Sequence, residues 1–154
     1  MAVPTLSPAE VTLYARQLTL EGWGRKAQER VKSSRVLIAG AGGLGSAAAL
    51  YLLAGGVGTI FLVDESRVSL SDLSHQFLFR EKDLGKAKVT VAERRLKQIN
   101  PFVLVESRVK NVSEHNVSRL ASGHHLLIDA TNNTAARILL NQAAAKNRTP
   151  LVYA

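Results

Sequence analysis

The 154-residue chain, 46% hydrophobic and 21% charged, has the size and balance of a single globular domain, which excludes the disordered and fibrous classes. Its formal net charge of +8 suits an acidic protein or a nucleotide, but the basic residues are scattered along helices with few aromatic residues to stack bases, which argues against nucleic acid as a partner. With no cysteine, disulfides, cysteine-held zinc and a catalytic thiolate are excluded; with no apolar run near the roughly 20 residues of a membrane span and no leader pattern in Met1 to Ser7, the chain reads as a cytoplasmic protein without a membrane partner.

Ser7-Pro8-Ala9-Glu10 places a capping serine, a first-turn proline and a reciprocal glutamate in sequence, which predicts a helix over about residues 8–18. A basic amphipathic helix follows over Arg25 to Lys32 and ends at Ser33-Ser34. Arg35 to Ala39 is an unbroken apolar run before a glycine, the pattern of a strand buried on both faces. Leu44 to Ala54 predicts a helix closed by Gly55-Gly56, and Thr59 to Val63 a second buried strand. Helical spacing runs from Gly85 to Asn100 and stops at Pro101, and Val103 to Val109 alternates as a strand. Ser113 is expected to cap a short helix to about Leu120; Leu126 to Asp129 reads as a strand, Thr134 to about Lys146 as a helix, and Leu151 to Tyr153 as a last strand. Strands alternating with helices predict a Rossmann-type α/β fold, a parallel sheet with helices on both faces, preceded by two N-terminal helices. The chain divides into a helical segment, 1–34, and one nucleotide-binding unit, 35–154.

Gly40-Ala41-Gly42-Gly43-Leu44-Gly45 matches the phosphate-binding turn G-x-G-x-x-G, and its place between a predicted strand and a predicted helix is the context that motif requires. Glycines let the backbone approach a phosphate, and the helix N-terminus offers free N–H groups to an anion. Asp64 ends the second strand, where an acid accepts hydrogen bonds from ribose hydroxyls. By this motif alone the ligand is NAD or ATP.

The residues outside the loop narrow that choice. Tyr14-Ala15-Arg16-Gln17, Gly22, the loop itself, Leu52, Ala54, Gly56 to Gly58 and Val63-Asp64 stand in an order continued by Val68, Ser71 to Phe79, Gly85 to Lys88, Asn100-Pro101, and Asp129 to Asn133 with Arg137. Together they resemble the ubiquitin-activating-enzyme-like superfamily that includes MoeB, ThiF and HesA. The resemblance implies that ATP, with Mg²⁺, is attacked by the diglycine carboxylate of a ubiquitin-like or sulfur-carrier protein, giving an acyl-adenylate and pyrophosphate. It implies a nucleotide held by Gly40, Gly42, Gly43, Gly45, Asp64, Lys88 and Asn132, with Lys88 on the phosphates. Arg16 would reach into the site of a partner subunit, within a homodimer or a heterodimer with an active relative.

The chain departs from that pattern at four positions. Ser66 stands where active members carry a second aspartate, Asp72 and His75 where they carry asparagine and arginine, and Asn132 where they carry a metal-binding aspartate. Asp72 adds negative charge beside a triphosphate, His75 replaces a permanent forked cation, and Asn132 offers Mg²⁺ only a neutral carbonyl, so no protein-held metal is assigned. Ser71 to Phe79 looks more like the non-catalytic adenylation half of eukaryotic activating enzymes. The family's C-terminal half, with its crossover loop, is not expected in this sequence. Three readings follow: an adenylyltransferase, a silent partner subunit, and an NAD-dependent oxidoreductase ranked last because Tyr14 to Gln17 and Gly85 to Lys88 have no role in hydride transfer. Adjacent His124 and His125 should point to opposite faces of a strand, and Trp23 is expected to anchor the leading helices.

Overall fold

Five short strands, β1 (Arg35–Ala39), β2 (Thr59–Val63), β3 (Leu104–Arg108), β4 (Leu126–Asp129) and β5 (Leu151–Tyr153), pair in parallel in the order β3-β2-β1-β4-β5. The structure is a computed structural model that describes residues 3–153. Ala39 at the end of β1 is in register with Val63 on one side and Asp129 on the other, so the three central strands end level. The chain walks outward from β1 to β3 and then returns to the opposite side of β1. That reversal opens a crevice at the carboxyl ends of β1 and β4, where open α/β sheets receive their ligands.

Helices cover both faces, which is why β1 has no polar alternation. Val36, Ile38, Ile60, Leu62 and Val105 turn to one face and pack with Ala49 and Leu53 of α4 (Gly43–Ala54) and with Val89 and Leu96 of α5 (Lys88–Ile99). Leu37, Ala39, Val63 and Leu127 turn to the other and meet Leu120 of α6 (Val117–Ala121) and Leu140 and Ala144 of α7 (Thr134–Asn147). The predicted α/β sheet with helices on both faces is therefore the fold found.

The N-terminal helices α1 (Pro8–Leu13), α2 (Ala15–Leu18) and α3 (Gly24–Lys32) brace the end of α4 that lies away from the crevice. Ser7 and Glu10 form the expected reciprocal cap, with Glu10 Oε2 accepting the Ser7 N–H at 2.8 Å. The side-chain amides of Gln17 and Gln28 donate to the Gly55 carbonyl at 3.2 and 2.9 Å. Gly56, with φ +81°, leaves room for them: a Cβ there would lie 2.5 Å from Gln28 Nε2 and 2.7 Å from the Tyr14 ring. Trp23 donates to Gln28 Oε1 at 3.0 Å and so joins the same cluster.

Three predicted elements are corrected. The helix expected over 8–18 divides at Tyr14, which leaves helical geometry at φ −95° and ψ 12° and whose side chain is buried with its hydroxyl accepting from Asn100 Nδ2. The helix expected from Gly85 starts at Lys88, because Gly85 has φ +76° and residues 85–87 instead pair with Arg67 and Val68. The helix expected from Ser113 starts at Val117; Ser113 donates its N–H to the Asn116 side chain and forms the preceding turn. His124 and His125 take separate partners, the Phe61 ring at 5.8 Å and the Arg35 N–H at 3.0 Å.

Candidate functional site

The glycine loop is shaped by what its Cα atoms touch. Gly40 adopts φ +97°, and a Cβ on it would lie 2.5 Å from the Ala130 carbonyl oxygen; a Cβ on Gly45 would lie 1.9 Å from the Gly40 carbonyl oxygen. Only glycine lets β1, the loop and the residues after β4 approach so closely. Gly42 has no heavy atom within 4 Å of where its Cβ would stand, so its Cα faces open space. α4 begins here with no side-chain cap, whereas Ser7 caps α1 and Asn133 caps α7. An uncapped helix start carries unpaired N–H donors and the positive end of the helix dipole, both favourable to an anion.

These N–H groups open onto a cleft of about 700 Å³, within the usual range for small-molecule sites. Gly40, Gly42 and Gly43 form its floor, Asp64 to Ser66 one wall, and Ala130 to Asn133 the other. Asp64 Oδ2 accepts the Ala41 N–H and Oδ1 the Ser66 N–H, each at 2.7 Å. Each oxygen keeps a lone pair for a further donor such as a ribose hydroxyl. Asp129 is fully buried under the cleft and accepts the Thr131 N–H and hydroxyl at 2.9 and 2.6 Å and Arg137 Nε at 2.8 Å. This fixes the loop bearing Asn132, which lines the cleft.

A buried polar cluster closes the remaining side. Lys88, first residue of α5, is positioned by its own N–H on the Ser66 carbonyl at 2.9 Å, and its Nζ lies 2.9 Å from Asp72 Oδ1. The Gln76 amide donates to the same oxygen at 2.7 Å, while Asp72 Oδ2 accepts the Ser69 N–H and hydroxyl at 2.7 and 2.8 Å. Burial pushes the Asp72 carboxyl up, but the Ser69 N–H, Lys88 and the Ser69 hydroxyl outweigh it and hold the carboxyl at about 2, against an ordinary 3.8. Gln76 Oε1 is buried with no hydrogen-bond partner. His75 accompanies the cluster, its ring 3.4 Å from where a Cβ on Gly43 would lie.

Of the residues expected from sequence, Gly40, Gly42, Gly43, Asp64, Lys88 and Asn132 all line this cleft. Gly45 lies beneath it as a packing glycine. Arg16 stands exposed on α2, outside the cleft. Lys110, Asn111 and Val112, just past β3, also line the cleft and carry no motif; their position after a parallel strand beside β2 was the available signal. The Asp72–Lys88 pair was equally unforeseen, since sequence assigned Lys88 to phosphates and Asp72 only an unfavourable charge.

The cleft does not fit a protein-held Mg²⁺. Among the described residues no three histidine or acidic side chains group as a metal site; both oxygens of Asp72 are filled by protein donors, and Asp129 is fully buried on Thr131 and Arg137.

A model of the ThiF family matches residues 14–154. The vegetative HesA protein of Trichormus variabilis is 41% identical over 149 residues, covering 97% of this chain and 56% of that protein. A sulfur carrier protein adenylyltransferase of Thermus thermophilus is 38% identical over 144 residues, covering 94% and 53%. This chain spans about half the length of these curated relatives. The crystal structure of the Escherichia coli tRNA N6-threonylcarbamoyladenosine dehydratase in complex with ATP superposes with a TM-score of 0.89 at 28% identity, covering 99% of this chain and 61% of that one.

Proposed function

We propose that this chain, which belongs to the ThiF family, binds ATP in the cleft and takes part in adenylylating the C-terminal carboxylate of a sulfur-carrier or ubiquitin-like protein. The observation that carries this reading is the uncapped start of α4 at the sheet's switch point, with Asp64 facing it across the cleft. Two relatives support it: one is named a sulfur carrier protein adenylyltransferase, and a similar structure holds ATP.

In the proposed reaction a carboxylate oxygen bonds to the α-phosphorus as the bond to the bridging oxygen breaks, giving an acyl-adenylate and pyrophosphate. The loop N–H groups of Gly42 and Gly43 would meet the phosphates with preorganised dipoles, which act more strongly inside a cleft than in water. Asp64 would hold the ribose, Lys88 would donate to the phosphates, and the Asn132 loop would border the nucleotide. Mg²⁺ would enter only as part of the substrate, bound to the triphosphate. Arg16, exposed on α2, would serve a second subunit in a dimer. No helix among the described residues is long and apolar enough to cross a membrane, and a cytoplasmic setting goes with this reading.

Carrier-dependent exchange of labelled pyrophosphate into ATP tests the activity. Exchange abolished by Gly42→Ala is the expected result; no exchange with any diglycine-tailed carrier removes the enzymatic reading. Titration with ATP against NAD⁺ separates it from an oxidoreductase. The Asp72–Lys88 ion pair favours a second reading, a silent subunit that supports an active relative. A heterodimer whose activity falls on Arg16→Ala but not on Lys88→Ala would establish it.

A further inference from the structure

Asp64, Glu65 and Asp72 face Lys88, Lys110 and Arg137 around the cleft, three acids against three bases. Lys88 is paired with Asp72 at 2.9 Å and Arg137 with the buried Asp129 at 2.8 Å. Lys110 alone of the three makes no ion pair among the described residues. A cleft built to hold a string of phosphates needs surplus positive charge, and here two of its three cations are already neutralised by the protein.

The Asp72–Lys88 pair is built in. Both Asp72 oxygens are saturated, Oδ1 by Lys88 and Gln76 and Oδ2 by the Ser69 N–H and hydroxyl. The carboxylate cannot swing away from Lys88 without abandoning these donors. Gln76 reinforces this: its Nε2 faces Asp72 and His75, and its Oε1 is left buried without a partner. A flipped amide would set that oxygen against the carboxylate, so the orientation is fixed by a charged Asp72. Lys88 spends one of its three N–H donors on Asp72; the other two can still reach a phosphate, but from a cation whose charge is largely cancelled.

We infer that Asp72 is a specificity-determining residue: by pairing with Lys88 beside the glycine loop it makes the cleft hold a nucleotide with a single phosphate group, a nucleoside monophosphate or its acyl ester, ahead of the bare triphosphate. The inference rests on the reading that the cleft holds a nucleotide, and it deepens that reading. The loop N–H groups supply dipoles enough for one phosphate, whereas the β- and γ-phosphates add about two negative charges that meet a cleft with no net charge to offer. Of the reactants and products of adenylylation, the acyl-adenylate is then the form retained best.

The test is calorimetric titration of the full chain with adenosine, AMP and ATP in EDTA, so that no metal masks the phosphate charge, on wild type, Asp72→Asn and Asp72→Ala. The wild type is expected to bind AMP about fivefold or more tighter than ATP, and Asp72→Asn to tighten ATP about tenfold or more while moving AMP less than about threefold. Adding Lys88→Gln to Asp72→Asn should remove the gain, because the gain comes from the freed ammonium. Wild-type protein that binds ATP as tightly as AMP, or an Asp72 variant that shifts both alike, overturns the inference. Should either variant fail to fold, the wild-type ranking and the other variant still decide it. If wild type binds none of the three ligands, the nucleotide reading itself fails, a result distinct from a wrong ranking.

Discussion

Asp64 at the end of β2 and Ala41 in the glycine loop are joined by a 2.7 Å hydrogen bond from the Ala41 N–H to Asp64 Oδ2. The same carboxylate accepts the Ser66 N–H at 2.7 Å, so one side chain sets both the loop and the first turn beyond the strand. Ligand holding and loop shaping are therefore carried by the same group. Asp64→Asn would turn an amide N–H toward a backbone N–H and remove the charge. It is expected to lower nucleotide affinity about tenfold or more and to cost about 1 kcal/mol of stability. Titration and urea unfolding on the same variant check both. An unchanged affinity with lost stability would make Asp64 a brace for the loop only.

Gly42 and Gly45 belong to one motif yet should respond oppositely to alanine. A Cβ on Gly45 would collide with the Gly40 backbone at 1.9 Å, whereas one on Gly42 meets nothing within 4 Å. Gly45→Ala is expected to destabilise the fold by about 2 kcal/mol or more. Gly42→Ala should unfold within about 2 °C of wild type, because its φ of −76° suits alanine. Its methyl group would occupy the space in front of the α4 N–H groups and abolish nucleotide binding. Thermal unfolding paired with titration reads the contrast; nucleotide binding retained by Gly42→Ala would move the ligand off the loop.

What was legible in sequence follows from how local each signal is. The apolar run of β1, the glycine loop and Asp64 are coded within a strand–turn–helix unit, so period and spacing expose them. Lys88 could be placed on a helix, but its partner Asp72 lies sixteen residues earlier on a 3₁₀ turn, Leu70–Ser74, and only the folded chain brings them together. The start of α5 is hidden from the sequence for a related reason: Gly85 to Ala87 fit the helical period, yet the bridge from Arg67 to Ala87 claims them. Lys110 to Val112 enter the cleft because β3 lies beside β2, a matter of topology that no motif records.

Tyr14 and Asn100 meet across the chain. Asn100 Nδ2 donates to the Tyr14 hydroxyl and to the Leu53 carbonyl, each at 2.9 Å, and Asn100 Oδ1 accepts the Phe102 N–H at 3.1 Å. One buried amide thus ties the N-terminal helices, the end of α4 and the turn into β3. Tyr14→Phe removes one of these bonds and is expected to cost about 1 kcal/mol; Asn100→Ala removes all three, although the Leu53 carbonyl keeps the Gly56 N–H at 3.1 Å, and should cost about 2–3 kcal/mol. Urea unfolding measures both. Equal losses from the two variants would mean that the phenol bond carries the joint.

Acid should weaken the fold through two buried aspartates, Asp72 and Asp83. Burial raises the Asp83 carboxyl, but Arg95 at 2.6 Å, Arg94 at 2.9 Å and the Arg80 N–H bring it down to about 2, as Lys88 and Ser69 do for Asp72. In the unfolded chain both return to about 3.8. Between about pH 4 and pH 2 the unfolded state therefore binds more protons than the native state, and stability rises with pH across that window. The contribution is fully present above the unfolded value and is lost as pH falls through the folded one. Asp83→Asn should be less stable than wild type at pH 7, and its unfolding free energy should fall less steeply between pH 4 and pH 2. Urea midpoints taken from pH 2 to 7 measure this. If Asp83→Asn keeps the wild-type acid slope, Asp83 carries none of the sensitivity, which then belongs to the other carboxyls held below their ordinary values, Asp72, Glu10, Glu29 and Glu93.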